Sequence, residues 1–449
     1  MKAWWGLFGG LLFFGGLSSC EHDDATVVYE EGTNAYVNQW MYEQMKRYYL
    51  WNGSLPTATD LSVFPKDYFE QLRHSEDPFS YTIHPSLPET LPKTLRGKFG
   101  FDIAFINHLG QVYGVVLYVL TGSPAQNHGL SRGDLITTFN GVAVSSSNYN
   151  TVYQELVQSE TAIIDRVRYD PQSGFSNPVH KEIGSGYTFG QPLLKRIITL
   201  ENKRVGYLMI PHFDSGMAGT FLQAFQEFKS QSVTEMIVDL RYNGGGDIAS
   251  AAALSVLLAP QIEPGNLFIR YRGNANGGTV SQSFVEALAM NESQVDFATL
   301  RAAHPELQRI YVLCGNRTAS ASEIIINNLK PYMEVITIGE KTVGKDVAGF
   351  PVQDNRNPNK PGWILYPSIY KLFNANDQGN YSSGIQPVIE ANELEALAVL
   401  PLGDTEELLL QKTLQHILGH GNKTTSLQTI SLPLSHIDTE GIPLVPLAF

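Results

Sequence analysis

The feature that most constrains the fold is an alternation of short apolar runs and helical stretches between about residues 187 and 419. The apolar runs contain β-branched residues and indicate buried strands, while the longer stretches between them are helical. The strand-like runs are residues 204–210, 235–240, 309–313 and 334–338. The helical stretches are residues 218–228, 248–258 and 322–329. Strands that alternate with helices predict an α/β layered core.

A chain of 449 residues is too long for one ordinary compact domain. Hydrophobic residues make up 43% of it and charged residues 17%, which is typical of a folded globular protein and excludes a disordered one. We therefore predict an α/β multidomain protein, with a helical N-terminal domain at residues 34–92, a second domain at 93–184 and the core at 185–420. The tail, residues 421–449, receives no assignment.

The first 20 residues indicate an export signal, because one Lys precedes an apolar run that is shorter than a typical membrane span. The run ends in Leu-Ser-Ser-Cys, which resembles a bacterial lipobox, so we expect Cys20 to carry a lipid. Plain cleavage, with Cys20 incidental, is the alternative. An acidic linker follows at residues 21–33, as in Bacteroidetes lipoproteins. The sequence thus predicts a cell-envelope lipoprotein of the outer membrane, on its periplasmic or its surface-exposed face.

The charge and cysteine content exclude several kinds of partner. The net charge of −13, from 31 Lys and Arg against 44 Asp and Glu, argues against nucleic acid. With Cys20 used as an anchor, Cys314 has no partner for an internal disulfide and is expected to be a buried thiol. No Cys/His cluster indicates zinc, and we expect neither a metal nor a cofactor.

The second domain contains the run GSPAQNHGLSRGDLITTFNG, residues 122–141, which resembles the helix, turn and strand of a PDZ domain. Upstream, Lys98-Phe99-Gly100-Phe101 resembles the PDZ loop that binds a terminal carboxylate, and this implies that Phe99, Gly100 and Phe101 bind peptide. Such a turn lets backbone N–H groups converge on a carboxylate, while the next strand offers an open edge. An ordinary hairpin turn is the alternative.

Three hydroxyl residues alternate with alanines in GNRTASASEIIINNLK, residues 315–330. Taken alone, Ser320-Ala321-Ser322-Glu323 is a capping box, in which the Ser320 hydroxyl accepts from a backbone N–H and Glu323 reaches back to the cap. Two distant features change this interpretation.

The first feature is DLRYNGGGD, residues 239–247, where a predicted strand ends in three glycines. Glycines permit backbone shapes that turn N–H groups toward a ligand or an oxyanion. The second is Lys345 in EKTVGKDVAGF, residues 340–350, where an apolar setting should lower the pKa of the amine enough for it to act as a base near neutral pH. A solvated loop lysine is the alternative.

Together these pieces resemble the carboxyl-terminal processing peptidases, or tail-specific proteases, a family of Ser/Lys serine peptidases that carry a PDZ domain. In that family the base follows the nucleophile by 25 positions, which is the offset from Ser320 to Lys345. The resemblance covers residues from about 35 to 419 and implies a ClpP/crotonase-like core. It implies Ser320 as nucleophile, Lys345 as base, and an oxyanion hole formed by the N–H groups of Ala321 and of Gly244 or Gly245.

One departure from the family concerns the residue that orients the base. The family often has a Gln four residues after the Lys, and here that residue is Gly349. Gln353 replaces it through a shifted loop, or Thr342 and Asp346 share the task beside Glu323, or the dyad is less well held.

The leading hypothesis is a cell-envelope serine endopeptidase whose PDZ domain binds protein C-termini or unfolded tails. A catalytically weak or inactive peptide-binding lipoprotein is the alternative, and a structural envelope lipoprotein is a third. The apolar C-terminus, PLVPLAF, is itself a candidate ligand for the PDZ groove.

Overall fold

The computed structural model describes residues 29–57, 59–186, 193–290, 295–419 and 429–432. The helices are α1 (Asn34–Tyr48), α2 (Pro65–Leu72), α3 (Leu95–Phe99), α4 (Pro124–Asn127), α5 (Tyr149–Gln158), α6 (Ala218–Ser230), α7 (Ile248–Leu258), α8 (Phe284–Leu288), α9 (Phe297–Ala303), α10 (Ala321–Leu329) and α11 (Leu408–Ile417). The strands are β1 (Tyr81–Ile83), β2 (Phe101–His108), β3 (Gln111–Val119), β4 (Leu135–Phe139), β5 (Val142–Ala143), β6 (Thr161–Val167), β7 (Tyr169–Asp170), β8 (Gly174–Phe175), β9 (Val179–Gly184), β10 (Leu194–Leu200), β11 (Lys203–Met209), β12 (Glu235–Asp239), β13 (Leu267–Arg272), β14 (Thr279–Ser283), β15 (Arg309–Cys314), β16 (Glu334–Gly339), β17 (Val347–Ala348), β18 (Val352–Gln353), β19 (Ile364–Tyr366), β20 (Tyr370–Phe373), β21 (Ile389–Glu390) and β22 (Thr429–Leu432).

The core of the molecule is a sheet with the strand order β10-β11-β12-β15-β16-β21. Its strands run parallel except for β10, which pairs antiparallel with β11. Helices α6, α7, α9 and α10 cover one face. Helix α11 and the predicted second domain, residues 93–184, which we call the middle unit, cover the other. Helix α7 is buried along its whole length, which explains its uniformly apolar and small residues. The predicted α/β layered core is confirmed.

A second sheet of the core, β14-β13-β20-β17, is antiparallel and was not predicted. Its two central strands lie almost a hundred residues apart in sequence, at residues 267–272 and 370–373. Their pairing depends on tertiary contacts, so no local pattern indicates it. The sheet places residues 345–348, which carry the predicted base, beside β20.

The middle unit is an antiparallel sheet with the strand order β22-β2-β3-β4-β6-β9. Helices α3 and α5 pack on it through a separate hydrophobic cluster. Strand β22, from the tail, pairs antiparallel with β2, with Leu432 opposite Phe105 and Thr429 opposite His108. The outer edge of β2 is therefore partly occupied by the chain's own tail.

The predicted helical N-terminal domain, residues 34–92, also contains a strand that pairs with the core. Strand β1 pairs with β19, which pairs in turn with β18, so the N-terminal residues complete a sheet of the core. The helices pack against the same core strands through Trp363 and Leu365.

Several predictions lie wholly or mostly outside the described residues. They are the signal segment, Cys20, the first part of the acidic linker, and all of the tail except β22. Among the described residues, no helix combines the length and apolar character that a membrane span needs. Cys314 is buried as predicted, and burial raises the pKa of its thiol to about 12.

Candidate active site

Ser320 lies between β15 and α10 in a strained backbone conformation. Its φ of 56° and ψ of −118° are rare for a residue with a side chain and cost about 1–3 kcal/mol. The neighbouring hydroxyls are engaged elsewhere, since Thr318 Oγ1 donates to the Leu240 carbonyl and Ser322 Oγ donates to the Asn243 carbonyl. Ser320 is thus distinguished from Thr318 and Ser322, which hold the turn.

The carboxylate of Glu323 joins the turn of Ser320 to the loop of Lys345. Oε2 accepts from the backbone N–H groups of Ser320, at 2.9 Å, and of Lys345, at 2.8 Å. Because they share one oxygen atom, these two nitrogens lie less than about 6 Å apart. Oε1 accepts from Thr342 Oγ1 at 2.6 Å and from the Gly344 N–H at 2.7 Å. Burial raises the pKa of Glu323 to about 7, and these four donors oppose the rise.

Lys345 is buried, with 1% of its surface exposed. Burial lowers the pKa of its amine from 10.5 to about 7, against the opposing charges of Asp77 and Glu323. Nζ lies 5.6 Å from the centre of the Phe79 ring. A lysine with this pKa is about half neutral at pH 7 and can accept a proton there.

The glycine loop contacts Ser320 directly. A Cβ atom at Gly245 would lie 2.7 Å from Ser320 Cβ and 3.0 Å from the Ala321 nitrogen, so only glycine fits. However, the Gly245 N–H donates to Asn243 Oδ1 at 2.8 Å. The prediction of Gly245 as an oxyanion donor is therefore wrong for this conformation. Gly244 and Ala321 have no such backbone bond among the described residues.

Three side chains were considered as supports for the base, and the structure places them differently. Thr342 is buried and acts through Glu323. Asp346 is bonded to Lys371, at 2.7 and 2.9 Å, instead of Lys345. Gln353 is exposed on β18 and cannot orient a buried amine, so that alternative is wrong.

Position 349 has no room for the side chain that the family often carries there. A Cβ atom at Gly349 would lie 2.1 Å from the carbonyl oxygen of Pro367. The departure from the family pattern is therefore a consequence of the chain path at residues 367–369.

Sequence reasoning missed Asp77, Phe79 and Asn243. Asn243 is buried, and its side chain bonds to the Gly245 N–H and to the Ile210 carbonyl. Its place before three glycines was a usable signal. Asp77 and Phe79 come from the N-terminal residues and carry no local signal of a contact with Lys345.

The predicted carboxylate-binding turn is closed. Phe99 and Phe101 are fully buried in the hydrophobic core of the middle unit. The Gly100 N–H donates to the carbonyls of Leu95 and Arg96, because Gly100, at φ 79°, caps α3. The Gly100 N–H is therefore engaged within the chain in this conformation, and peptide binding by Phe99, Gly100 and Phe101 stays a prediction.

The middle unit contacts the Ser320 turn through Arg317. Its guanidinium donates to Asp102 Oδ2 at 2.6 Å and to the Ile103 carbonyl at 2.8 Å, both on β2. Burial opposes the shift, but Asp102 raises the pKa of Arg317 further above its usual value. Strand β2 is thus linked to the loop that carries Ser320.

A buried ion-pair network fixes the strand end before the glycine loop. Arg241 is bonded to Asp239 and to both oxygens of Glu407, at 2.7 and 3.0 Å. Arg132 of the middle unit joins through Glu393 at 2.7 Å. Although burial opposes it, the charges of Arg132 and Arg241 lower the pKa of Glu393 to about 2. Among the described residues, no cluster of His, Cys, Asp and Glu could hold a metal.

The chain is similar to known peptidases in both sequence and fold. Residues 204–391 match the model of peptidase family S41, and residues 36–81 match the peptidase S41 N-terminal domain. A crystal structure of a Bacteroides fragilis protein assigned to the S41 proteases is 28% identical, with a TM-score of 0.68, over 85% of this chain and 97% of that chain. The photosystem II D1 C-terminal processing protease shares the fold, at 20% identity and a TM-score of 0.51, over 85% of this chain and 97% of that one.

Two curated relatives extend the comparison. The chloroplastic C-terminal processing peptidase of Tetradesmus obliquus is 26% identical over 60% of this chain and only 56% of its own length. The carboxy-terminal processing protease CtpB of Bacillus subtilis is 21% identical over 90% of this chain and 79% of its own length. The chain belongs to peptidase family S41, the family of the C-terminal processing serine peptidases.

Proposed function

We propose that the protein is a serine endopeptidase in which Ser320 is the nucleophile and Lys345 the general base. The observation that carries this proposal is the Glu323 carboxylate, which binds the backbone of both residues while burial brings the pKa of Lys345 to about 7. A lysine kept only for structure gains nothing from an apolar site that disfavours its charge.

The reaction follows from these positions. Neutral Lys345 takes the proton of the Ser320 hydroxyl as Oγ attacks the peptide carbonyl carbon. The N–H groups of Ala321 and Gly244 stabilise the oxyanion, and each is worth about 3–4 kcal/mol of barrier. The Lys345 ammonium then gives its proton to the leaving amine as the C–N bond breaks. Neutral Lys345 then takes a proton from water as the water oxygen attacks the acyl carbon, and the Lys345 ammonium returns that proton to Ser320 Oγ as the ester C–O bond breaks.

The substrate class is proposed from the middle unit, which we assign as a PDZ domain beside a ClpP/crotonase-like core. The part of the β2 edge that β22 does not pair with is the proposed binding site for an extended peptide, and Arg317 connects β2 to the Ser320 turn. Protein C-termini or unfolded tails are therefore the proposed substrates. The proposed location is the bacterial outer membrane, through a lipid on Cys20, on the periplasmic or the surface-exposed face.

The test is cleavage of an unfolded polypeptide by purified protein that lacks the first 20 residues, with the Ser320→Ala variant as control. We expect the wild type to cut, and the variant to be slower by at least about 1000-fold. Equal rates for the two proteins would refute the peptidase proposal. Tight peptide binding without turnover in both would favour the alternative, a binding lipoprotein on the same fold.

A further inference from the structure

Asp77 is a buried carboxylate that the proposed mechanism leaves without a role. Only 2% of its surface is exposed. Oδ1 accepts from the N–H groups of Phe79, at 3.0 Å, and Ser80, at 3.1 Å, and from Ser368 Oγ at 3.0 Å. Oδ2 accepts from Tyr49 Oη at 2.7 Å and from Ser80 Oγ. All five donors are neutral, so they offset the charge of the buried carboxylate only in part, and none of them supplies a full positive charge.

The turn of Asp77 packs against Lys345. The backbone N–H of Phe79 donates to Asp77 Oδ1, and the centre of the Phe79 ring lies 5.6 Å from Lys345 Nζ. Asp77 and Glu323 are the two carboxylates whose charges act on the amine, and both raise the pKa of Lys345. Asp346, the neighbour of Lys345 in sequence, is bonded to Lys371 instead.

The segment that holds Asp77 is also the one that closes position 349. The Pro367 carbonyl occupies the space of a side chain at Gly349, and Ser368 bonds both to Asp77 and, through its N–H, to Ser80 Oγ at 2.7 Å. The path of residues 367–368 therefore excludes a side chain at position 349 and holds the carboxylate of Asp77.

We propose that Asp77 is the positioning residue for Lys345, and that the N-terminal residues of the chain thereby complete the active site. Lys345 becomes an ammonium when it takes the Ser320 proton, and a fixed carboxylate nearby stabilises that form in the transition state. Glu323 holds the backbone of Lys345, and Asp77 acts on its amine.

This inference rests on the proposed Ser320/Lys345 chemistry, so its test measures the two separately. A fluorophosphonate forms a P–O bond with the Ser320 oxygen and releases fluoride, without any need for the natural substrate. Its second-order rate constant is measured from about pH 5 to about pH 9.5. The acidic limb of this pH–rate profile, where the rate falls toward low pH, reports the pKa of Lys345. The protein is the chain without its first 20 residues, and thermal melting checks that each variant is folded.

Asp77→Asn keeps the size of the side chain and removes its charge. We expect its acidic limb to move to lower pH, because Lys345 loses a group that raises its pKa, and its plateau rate to fall about 10- to 100-fold. Tyr49→Phe removes a donor that partly neutralises Asp77, so its limb should move the opposite way, to higher pH. Asp346→Asn is the matched control, and its limb should stay in place.

The outcomes separate the two proposals. Wild type that does not react at Ser320 would overturn the proposed function. A second outcome is that the wild type reacts with an acidic limb near pH 7 and that Asp77→Asn and Tyr49→Phe show the same limb. This outcome would overturn the role of Asp77 alone. If Asp77→Asn does not fold, the Tyr49→Phe limb decides: a move to higher pH supports the proposal, and no move refutes it.

Discussion

Replacing Lys345 by Met should make the protein more stable at neutral pH while it removes the proposed base. Burial lowers the pKa of Lys345 from 10.5 to about 7, so the folded state holds the charged amine poorly. Met retains most of the volume of the aliphatic stem and carries no charge. The substitution therefore removes a cost of folding that the wild type carries.

The size of this cost depends on pH. Below about pH 7 the folded and unfolded states both bind the proton, and the full cost is present. Between about pH 7 and pH 10.5 only the unfolded state binds it, so the stability of the wild type rises with pH. Linkage gives a cost of about 4 kcal/mol at pH 7 and about 1.5 kcal/mol at pH 9.5. The advantage of Lys345→Met should shrink by about 3 kcal/mol over that interval.

The assay is urea unfolding of both proteins at the two pH values. Lys371→Met is the matched control, because Lys371 is bonded to the buried carboxylate of Asp346 at 2.7 and 2.9 Å. Its removal should destabilise the protein by up to about 3–5 kcal/mol, the opposite sign. A Lys345→Met variant that is less stable than wild type at pH 7, or whose difference from wild type does not change with pH, would show that the amine is not a strained buried base.

Further predictions concern the rate, the core, the unit junction and the tail. The rate constant kcat/KM for peptide cleavage should fall about tenfold per pH unit below about pH 7, because only neutral Lys345 accepts a proton; a flat profile there would contradict this. Gly349→Ala should lower stability by several kcal/mol in urea unfolding, roughly 3, since its Cβ would meet the Pro367 carbonyl at 2.1 Å; unchanged stability would refute the close contact. Arg132→Met should cost about 3 kcal/mol in the same assay because it removes one of the two guanidinium groups that bind the buried Glu393, the other being Arg241; unchanged stability would refute this. Ending the chain after Gly419 removes β22, which pairs with the edge of β2. If the tail occupies that edge about nine-tenths of the time, the affinity for an unfolded peptide should rise about tenfold in fluorescence anisotropy. An unchanged affinity would exclude the tail as a competitor.

Local patterns predicted the core elements well, whereas the pairing of Ser320 with Lys345 came from the family resemblance and stays a prediction. Helix α7 has the predicted bounds because its residues are apolar throughout and are flanked by an N-cap Asp, Asp247. Ser320 and Lys345 were paired by their offset in sequence, and the structure brings their backbones together through Glu323. Here local chemistry and tertiary structure agree.

The parts that could not be predicted depend on distant segments or on single hydrogen bonds. The pairing of β1 with β19 and the bond from Ser368 Oγ hold Asp77 near the segment of residues 367–368, and neither contact has a local signature in the sequence. The glycine run indicated Gly245 as an oxyanion donor, but its N–H donates to Asn243 Oδ1 instead. Gln353 was near in sequence but lies on an exposed strand. Sequence distance was a poor guide in both directions.

The pairing of β1 with β19 has a consequence for the order of folding. Tyr81 lies opposite Tyr366, so the N-terminal strand is synthesised long before its partner and cannot be held in place until that partner appears. Ser320 and Lys345 both precede Tyr366 in the chain. They are therefore synthesised before the strand that holds the N-terminal segment in place. A nascent chain of this protein should therefore acquire its complete peptidase site only after most of its residues have been made.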